Sequence, residues 1–256
     1  MQIRKVSNFL LQHYPLDAAE VWDPAGFSVK FNLSEKIKGV VTAIDLTWEV
    51  LQLAIDKDAN LIVLHHPFKF AQTWQDEFIA APYKREILAI LKKKRINVLA
   101  LHTNYDNNVN GTSHQIALRL NLTPSIYNHN NPYPCIVKEP ISINELKSLF
   151  IEKMNLHSTR TNTDDLNTKL KNVAILSGSG PATLAYELSQ NKTQLVILSD
   201  VKWNEWVLYQ QHKIKILEVS HLDEQVFVFD IATKLEQNFP DLNVHTYIFK
   251  EPYKNI

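Results

Sequence analysis

The hydrophobic positions of the first half of the chain form short apolar runs that alternate with longer segments of helical spacing. The apolar runs, which predict buried strands, cover 39–45, 60–66 and 96–102, and the predicted helices cover 47–58, 83–94 and 112–120. An alternation of strands and helices is typical of a mostly parallel sheet with right-handed crossovers.

The second half repeats this pattern after a segment rich in Asn, Pro and Tyr over 123–138, which predicts a long connection. The predicted strands cover 171–177, 193–200, 213–221 and 243–249, and the predicted helices cover 181–190, 203–212 and 224–238. We therefore expect an α/β protein of two similar lobes with mixed, mostly parallel sheets. The lobes are expected over 1–125, with a returning C-terminal segment, and over 126–256, with a metal site between them.

Charge and composition narrow the functional classes. The 256 residues contain 27 Lys and Arg and 27 Asp and Glu, so bulk charge gives no reason to expect binding to nucleic acid or to an anionic membrane. The single cysteine, Cys135, excludes an intramolecular disulfide and a cysteine-rich zinc module. The first ten residues lack the apolar stretch of a signal peptide, and no apolar run has the length of a membrane span, so we expect a cytoplasmic protein.

Candidate chemistry is concentrated where the predicted strands end, which is where open α/β sheets collect their ligands. The polar residues at these ends are Asp45, His65 and His66, His102 to Asp106, Ser177 to Gly180, Asp200, and His221 to Glu224. Nitrogen and oxygen donors without thiolate suit zinc, manganese or iron in a catalytic site better than a closed structural zinc site. A carboxylate such as Asp106 or Glu224 can bridge two ions about 3.5–4 Å apart.

Plainer interpretations of the same residues stay open at this stage. A histidine at a strand end is more often a hydrogen-bonded structural residue than a metal ligand. The Ser177–Gly180 segment could bind an anion at a helix N-terminus, although a tight turn that needs glycine is favoured slightly. The remaining histidines have no partner pattern and are predicted to be surface or structural residues: His13, His114, His129, His157, His212 and His245.

Several sequence blocks together resemble one known family. The blocks are VWDPAGFSV (21–29), AIDLTWEVLQLAIDKDANLIVLHHPFKF (43–70), ALHTNYDNNVNGTSHQIA (100–117), VAILSGSG (173–180), VILSDVKWNE (196–205) and VSHLDEQ (219–225). In this order they are similar to the blocks of the Nif-three-like dinuclear-metal-centre proteins, also called GTP cyclohydrolase 1 type 2 homologues. The pairing of H-H-P with a later H-T-N-x-D is quite specific to that family.

The resemblance implies a set of metal ligands for two divalent ions, either zinc, iron or manganese. The implied ligands are His65, His66, Asp106, His221 and Glu224. The last assignment departs from the family, whose bridging glutamate lies four residues after the histidine, where this chain has Gln225. Because an amide cannot supply the charge that holds two divalent ions together, we favour Glu224. Further departures are Ser220 in place of glycine and Asn204 in place of histidine.

The implied function is that of a metal-dependent hydrolase in which metal-activated water acts on a nucleotide or a related small molecule. His102 and Glu224 are the catalytic candidates, because either could carry protons. The alternative is a non-catalytic metal-binding scaffold or a regulatory interaction protein. The resemblance also implies the short form of the family without an inserted domain, and a homohexamer assembled as a trimer of dimers. The aromatic residues expected in subunit contacts are Trp74, Phe78, Trp203 and Trp206.

Overall fold

The structure is a computed structural model that describes residues 1–128 and 130–254, so the prediction for His129 and the last two residues of the expected C-terminal lobe lie outside it. The helices are α1 (Ile3–His13), α2 (Trp48–Asp56), α3 (Trp74–Ala80), α4 (Lys84–Lys94), α5 (Thr103–Asp106), α6 (Thr112–Arg119), α7 (Ile143–Met154), α8 (Ala182–Gln190), α9 (Trp203–Gln211) and α10 (Val226–Asn238). The strands are β1 (Gly26–Val29), β2 (Val40–Ala43), β3 (Leu61–Leu64), β4 (Asn97–Ala100), β5 (Pro124–Asn128), β6 (Asn131–Val137), β7 (Thr159–Thr161), β8 (Val173–Ile175), β9 (Leu195–Leu198), β10 (Ile216–Val219) and β11 (Val244–Thr246). None of the helices in these described segments has the length and apolar character needed to cross a membrane.

The chain folds as two compact units. Unit 1 contains Met1–Asn108 and Phe227–Ile248, and unit 2 contains Val109–Val226 and Phe249–Ile256. The division falls earlier than the expected boundary at 125, so that α6 belongs to unit 2. The segment that returns to unit 1 carries most of α10 and the strand β11.

Unit 1 is built on a five-stranded sheet in the order β1-β4-β3-β2-β11. The strands β4, β3, β2 and β11 are parallel to their neighbours, and β1 adds an antiparallel edge. Every residue of β2, β3 and β4 is buried, as expected for parallel strands whose two faces are both covered. The predicted parallel α/β arrangement is therefore confirmed here, and the carboxyl ends of β2, β3 and β4 lie side by side.

Unit 2 is built on a six-stranded mixed sheet in the order β5-β6-β8-β9-β10-β7. Its central strands β8, β9 and β10 are parallel, while β6 and β7 pair with them in the antiparallel direction. Alternate residues of these strands enter two different hydrophobic clusters, so that both faces of the sheet are covered. Phe150 of α7 lies in one cluster and Tyr209 of α9 in the other.

The prediction of a long connection over 123–138 is wrong, because β5 and β6 form an antiparallel hairpin there. Only Cys135, Ile136 and Val137 of β6 also pair with β8. Pro132 and Pro134 precede that central part, so their missing N–H groups cost no hydrogen bond to β8. The helix α7 was also missed, although Ser142 and Glu145 form the capping box that the sequence signals as S-x-x-E.

The loop that follows β3 is held by a buried ion pair. Glu77 of α3 accepts hydrogen bonds from the backbone N–H groups of Phe70 and Ala71, both at 2.8 Å, and from Lys84 Nζ at 2.5 Å. Burial by itself raises the pKa of Glu77, but the bonds from Lys84, Ala71 and Phe70 outweigh it and lower the pKa below the ordinary value. The ionised Glu77 carboxylate is therefore the form that holds this loop.

We expect Glu77→Gln to lower the free energy of unfolding by about 1–3 kcal/mol, because charge-assisted hydrogen bonds at a buried site are lost. A pKa lowered by folding contributes stability that is complete above the unfolded-state pKa and disappears as the pH falls through the folded-state pKa. Urea unfolding between pH 3 and pH 7 should therefore show that the free energy of unfolding falls less steeply toward low pH in the variant than in the unsubstituted chain. Glu86→Gln, on the exposed face of α4, is the control and should leave the curve unchanged. If the free energy of unfolding depends on pH in the same way in Glu77→Gln and in the unsubstituted chain, ionised Glu77 does not hold this loop.

Candidate metal centre

Three imidazoles meet at the carboxyl ends of the unit 1 strands. His65 and His66 follow β3 directly, and His102 stands two residues after β4. The ring centroids of His65 lie 5.1 Å from His66 and 5.3 Å from His102, and those of His66 and His102 are 5.6 Å apart. One nitrogen from each of the three rings lies within 4.8 Å of the others, a spacing that a shared metal ion could use. The three form the unit 1 histidine cluster.

Each imidazole of this cluster is oriented through its Nδ1 atom by an oxygen. Nδ1 of His65 lies 3.0 Å from the carbonyl oxygen of Leu101, and Nδ1 of His66 lies 3.1 Å from Asp45 Oδ1. Nδ1 of His102 lies 3.0 Å from Asp23 Oδ1. An oxygen partner at one ring nitrogen fixes the ring and its tautomer and leaves the other nitrogen to a metal, which is the usual arrangement around metal-binding histidines.

The short helix α5 carries Asp106 and is anchored by each residue before it. Thr103 donates its N–H and hydroxyl to Asp23, and Asn104 donates its amide to the carbonyl oxygen of Tyr14. The Tyr105 hydroxyl donates to Asp230 at 2.8 Å. Asp106 is thereby held with Oδ1 3.7 Å from His65 Nε2, so unit 1 adds a carboxylate to its imidazoles.

Asp23 joins the cluster to this helix. Burial raises its pKa, but the hydrogen bonds and charge supplied by His102 and the hydrogen bonds from Thr103 outweigh burial, and the pKa is lowered overall. An ionised Asp23 can accept from the His102 Nδ1–H group and from Thr103 together. One carboxylate thus orients both an imidazole and the first turn of α5.

Unit 2 places a histidine and two carboxylates together after its parallel strands. His221 begins a 3₁₀ helix over His221–Gln225, directly after β10 and Ser220. Its Nδ1 lies 2.6 Å from Asp200 Oδ2, and its Nε2 lies 2.9 Å from Glu224 Oε2. His221 therefore also has an oxygen partner at Nδ1, as each of the unit 1 imidazoles does. These residues form the unit 2 cluster.

A third carboxyl group, that of the buried Asp223, also acts on His221 in the unit 2 cluster. Burial lowers the pKa of His221, but Glu224 and Asp200 outweigh burial and raise the pKa to about 12. Burial and the charge of Glu224 raise the pKa of the fully buried Asp223 well above its ordinary value. One imidazole is surrounded by Asp200, Asp223 and Glu224, so a further cation would relieve the repulsion among the carboxylates. The nitrogen and oxygen donors of both clusters fit a divalent metal ion of the zinc, iron or manganese type.

The turn after β8 defines the position of Glu224. Gly178 has a φ of +60°, and a Cβ atom built there would collide with Glu224 Oε1 and approach its Cδ to 3.1 Å. The left-handed backbone conformation favours glycine, and a Cβ atom at this position would force the Glu224 carboxylate to move. Because that carboxylate adjoins the turn, electrostatic repulsion disfavours an anion there, and the structure favours the tight-turn interpretation of Ser177–Gly180.

The neighbouring residues of the loop have structural partners. The Gln225 side chain accepts from the Phe249 N–H at 2.5 Å and donates to the Phe249 carbonyl oxygen at 3.2 Å. Ser220, which replaces the family's glycine, caps the 3₁₀ helix by accepting from Leu222 N–H. The amide of Gln225 is thus occupied by the backbone, whereas the Glu224 carboxylate contacts His221.

The structure brings His65, His66, His102 and Asp106 together in unit 1, and His221 and Glu224 together in unit 2. The orienting carboxylates were found only in part. The strand-end pattern includes Asp45 and Asp200 but gives them no role, and it does not reach Asp23, which precedes its partner Thr103 by 80 residues. The histidines set aside as surface or structural residues differ in exposure, with His13, His157 and His212 exposed, His245 half-buried and His114 buried.

Comparisons with known proteins agree over the whole chain. The family description Duf34/NIF3 (NGG1p interacting factor 3) matches residues 1–254. A Mycoplasmopsis pulmonis protein named GTP cyclohydrolase 1 type 2 homolog is 35% identical over 94% of this chain and 96% of its own length. A protein of the same name from Ureaplasma parvum is 31% identical over 99% of this chain and 98% of its own.

Solved structures show the same fold. A Staphylococcus aureus protein described as hypothetical superposes with a TM-score of 0.87 at 24% identity, over 100% of this chain and 99% of its own. Reduced HcgD from Methanocaldococcus jannaschii gives a TM-score of 0.80 at 22% identity, over 97% of this chain and 98% of its own. The resemblance expected from the sequence blocks is confirmed: this chain belongs to the Duf34/NIF3 family.

Proposed function

We propose that this protein binds two divalent metal ions and uses them to hydrolyse a small molecule. The proposed ligands are His65, His66 and Asp106 of unit 1 and His221 and Glu224 of unit 2. The observation that carries the proposal is the common orientation of the histidines, each of which has an oxygen partner at Nδ1. Metal-ligating histidines almost always carry an oxygen partner at the ring nitrogen that does not bind the ion, and all four histidines share that feature.

Bound divalent ions supply Lewis acidity and lower the pKa of water toward neutrality. The protein's contribution is to fix donors and to move protons. His102 is half-buried and fixed at Nδ1 by Asp23, so a proton can be held at its Nε2 atom. Glu224 can also carry a proton, because its carboxylate is buried and fixed between Gly178 and His221. We propose His102 and Glu224 as the proton-carrying groups.

The class of substrate is proposed from the relatives. Two relatives at 35% and 31% identity are named GTP cyclohydrolase 1 type 2 homolog, so we propose a nucleotide or a related small molecule. A scaffold that binds metal without catalysis would show the same metal content and no turnover. To distinguish the hydrolase from the scaffold, the metal-loaded protein is incubated with GTP in the presence and in the absence of EDTA, and the products are separated by chromatography. EDTA-sensitive turnover supports the hydrolase, and its absence at full metal content supports the scaffold.

Metal analysis of protein purified without chelator should give two divalent ions per chain. Glu224→Gln should lose at least one of them, because an amide cannot replace the negative charge at the ligand. Gln225→Ala is the matched control and should retain both, since the Gln225 amide contacts the Phe249 backbone. Metal content near zero in the unsubstituted protein, or loss of metal only in Gln225→Ala, would contradict the proposed ligand set.

Gly178→Ala should weaken metal binding although no ligand is substituted, because its Cβ atom would displace the Glu224 carboxylate. Outer residues that fix a ligand typically change metal affinity roughly 10- to 100-fold. Competition with a chromophoric chelator measures that change. Gly39→Ala is the control, because its Cβ atom would meet only ordinary contacts of 3.4–3.5 Å. Equal affinities for the two variants, with equal melting temperatures, would show that the turn does not position Glu224.

We propose in addition that the chain assembles as a homohexamer, a trimer of dimers. Trp203 at the start of α9 is 82% exposed, and Val207, one turn later, is also exposed. Two of the expected contact residues are less available, because Trp74 and Phe78 stack on each other with ring centroids 5.6 Å apart. In unit 2, support for the assembly therefore rests on the outer face of α9, where Trp203 and Val207 leave apolar surface exposed to water.

Light scattering at micromolar concentration should give a mass near that of six chains, against 29.5 kDa for one. Trp203→Asp should shift the distribution toward smaller species, because a buried unpaired charge destabilises an interface. The melting temperature of the smaller species should stay close to that of the parent, since Trp203 is exposed within the chain. A mass of one chain for the unsubstituted protein would contradict the assembly.

A further inference from the structure

Two aromatic rings lie next to His102 in unit 1 and are exposed to solvent. The indole of Trp22 is 66% exposed and the ring of Phe70 is 47% exposed. Their centroids lie 5.9 Å and 5.7 Å from that of His102, and both rings stand nearly perpendicular to the imidazole, at 78° and 89°. Apolar rings are thus presented beside the unit 1 histidine cluster, and neither side chain offers an atom that could ligate a metal ion.

The exposure of Trp22 is enforced by the backbone around it. Asp23 N–H donates to the Glu20 carbonyl oxygen at 2.9 Å, which closes a tight turn with Val21 and Trp22 at its tip. Glu20 N–H donates to Thr103 Oγ1 at 2.8 Å, and Asp23 accepts from Thr103. The turn is tied at both ends to α5, so the indole is held out in water although its burial would be favourable.

Phe70 is held with comparable firmness. Its backbone N–H donates to the buried Glu77 carboxylate, which also binds Lys84. The loop that carries Phe70 begins directly after His65 and His66, so its ring stands near the cluster by chain connectivity as well. Both rings are therefore preorganised, and a ligand that packs against them would lose little affinity to ordering of the protein.

We infer that Trp22 and Phe70 bind a flat, unsaturated ring of the small molecule whose polar groups reach the unit 1 histidine cluster. This inference rests on the proposed function and deepens it, because it names the recognition element of that same site. An exposed indole face accepts a planar ring by stacking, and stacking does not depend on which ring is offered, since every base has a π face. Trp22 and Phe70 are specificity residues, not catalytic ones.

The test compares ligands that share phosphate groups and differ in the ring. Metal-loaded protein is titrated calorimetrically with GTP, ATP and inorganic triphosphate at one fixed concentration of free metal. GTP and ATP should both bind more tightly than triphosphate. Trp22→Ala should weaken both nucleotides roughly five- to one-hundred-fold and leave triphosphate unchanged. Trp22→Phe should recover part of the loss, and Phe70→Ala should give a smaller loss of the same kind.

Tyr186→Ala is the matched control. Tyr186 is a 39% exposed aromatic residue whose ring also stands edge-to-face to a histidine, with its centroid 4.7 Å from that of His212 in unit 2. It lies outside both clusters, so its removal should leave all three affinities unchanged. Metal content and light-scattering mass are measured on every variant in parallel.

The outcomes separate this inference from the proposed function. Absent metal in the unsubstituted protein contradicts the proposed function itself. Full metal content with equal affinity for GTP and triphosphate, or with no binding of either, overturns ring recognition alone. Nucleotide binding that Trp22→Ala leaves intact also overturns it. A change of mass in Trp22→Ala would identify the indole as a contact with a second copy of this chain and would likewise overturn the inference.

Discussion

The candidate metal centre depends on one recurring interaction, the bond between a histidine Nδ1 atom and an oxygen. Leu101, Asp45, Asp23 and Asp200 supply that oxygen to His65, His66, His102 and His221, at distances between 2.6 and 3.1 Å. Three of the oxygens are carboxylates and one is a backbone carbonyl, so the geometry is kept although the chemistry of the partner differs. Within each sheet, the parallel strands bring histidines to their own carboxyl ends, where these oxygens can reach them.

The segment after β10 in unit 2 concentrates acidic groups that folding has to accommodate. Glu224 and Asp223 are buried beside one histidine, and the raised pKa of Asp223 reflects the cost of placing both carboxylates there. An interior selected for stability alone would replace such groups by apolar ones. Their presence is accounted for if the folded chain meets a cation at this place, because ligand charge that destabilises the empty protein strengthens binding of the ion.

The sequence was informative where chemistry follows from local pattern. His65 and His66 could be placed at a strand end because an apolar run precedes them and Pro67 follows. Asp23 could not be found in this way, since its hydrogen bond to Thr103 joins segments that are distant in the chain. The hairpin β5–β6 was missed for a different reason. Its prolines suggest a connection, and only the pairing with β8 shows that they stand outside the central part of the strand.

Asp23 determines both the orientation of His102 and the position of Trp22 in unit 1. Its carboxylate orients His102 and binds Thr103, and the turn that it ends presents Trp22 to solvent. A displacement of this turn would therefore move the indole and release the imidazole together. The second ring, that of Phe70, is held separately, because its backbone N–H donates to the ionised Glu77 carboxylate. Trp22 and the His102 imidazole are thus positioned through one carboxylate, that of Asp23, while the loop after β3 carries Phe70 together with His65 and His66.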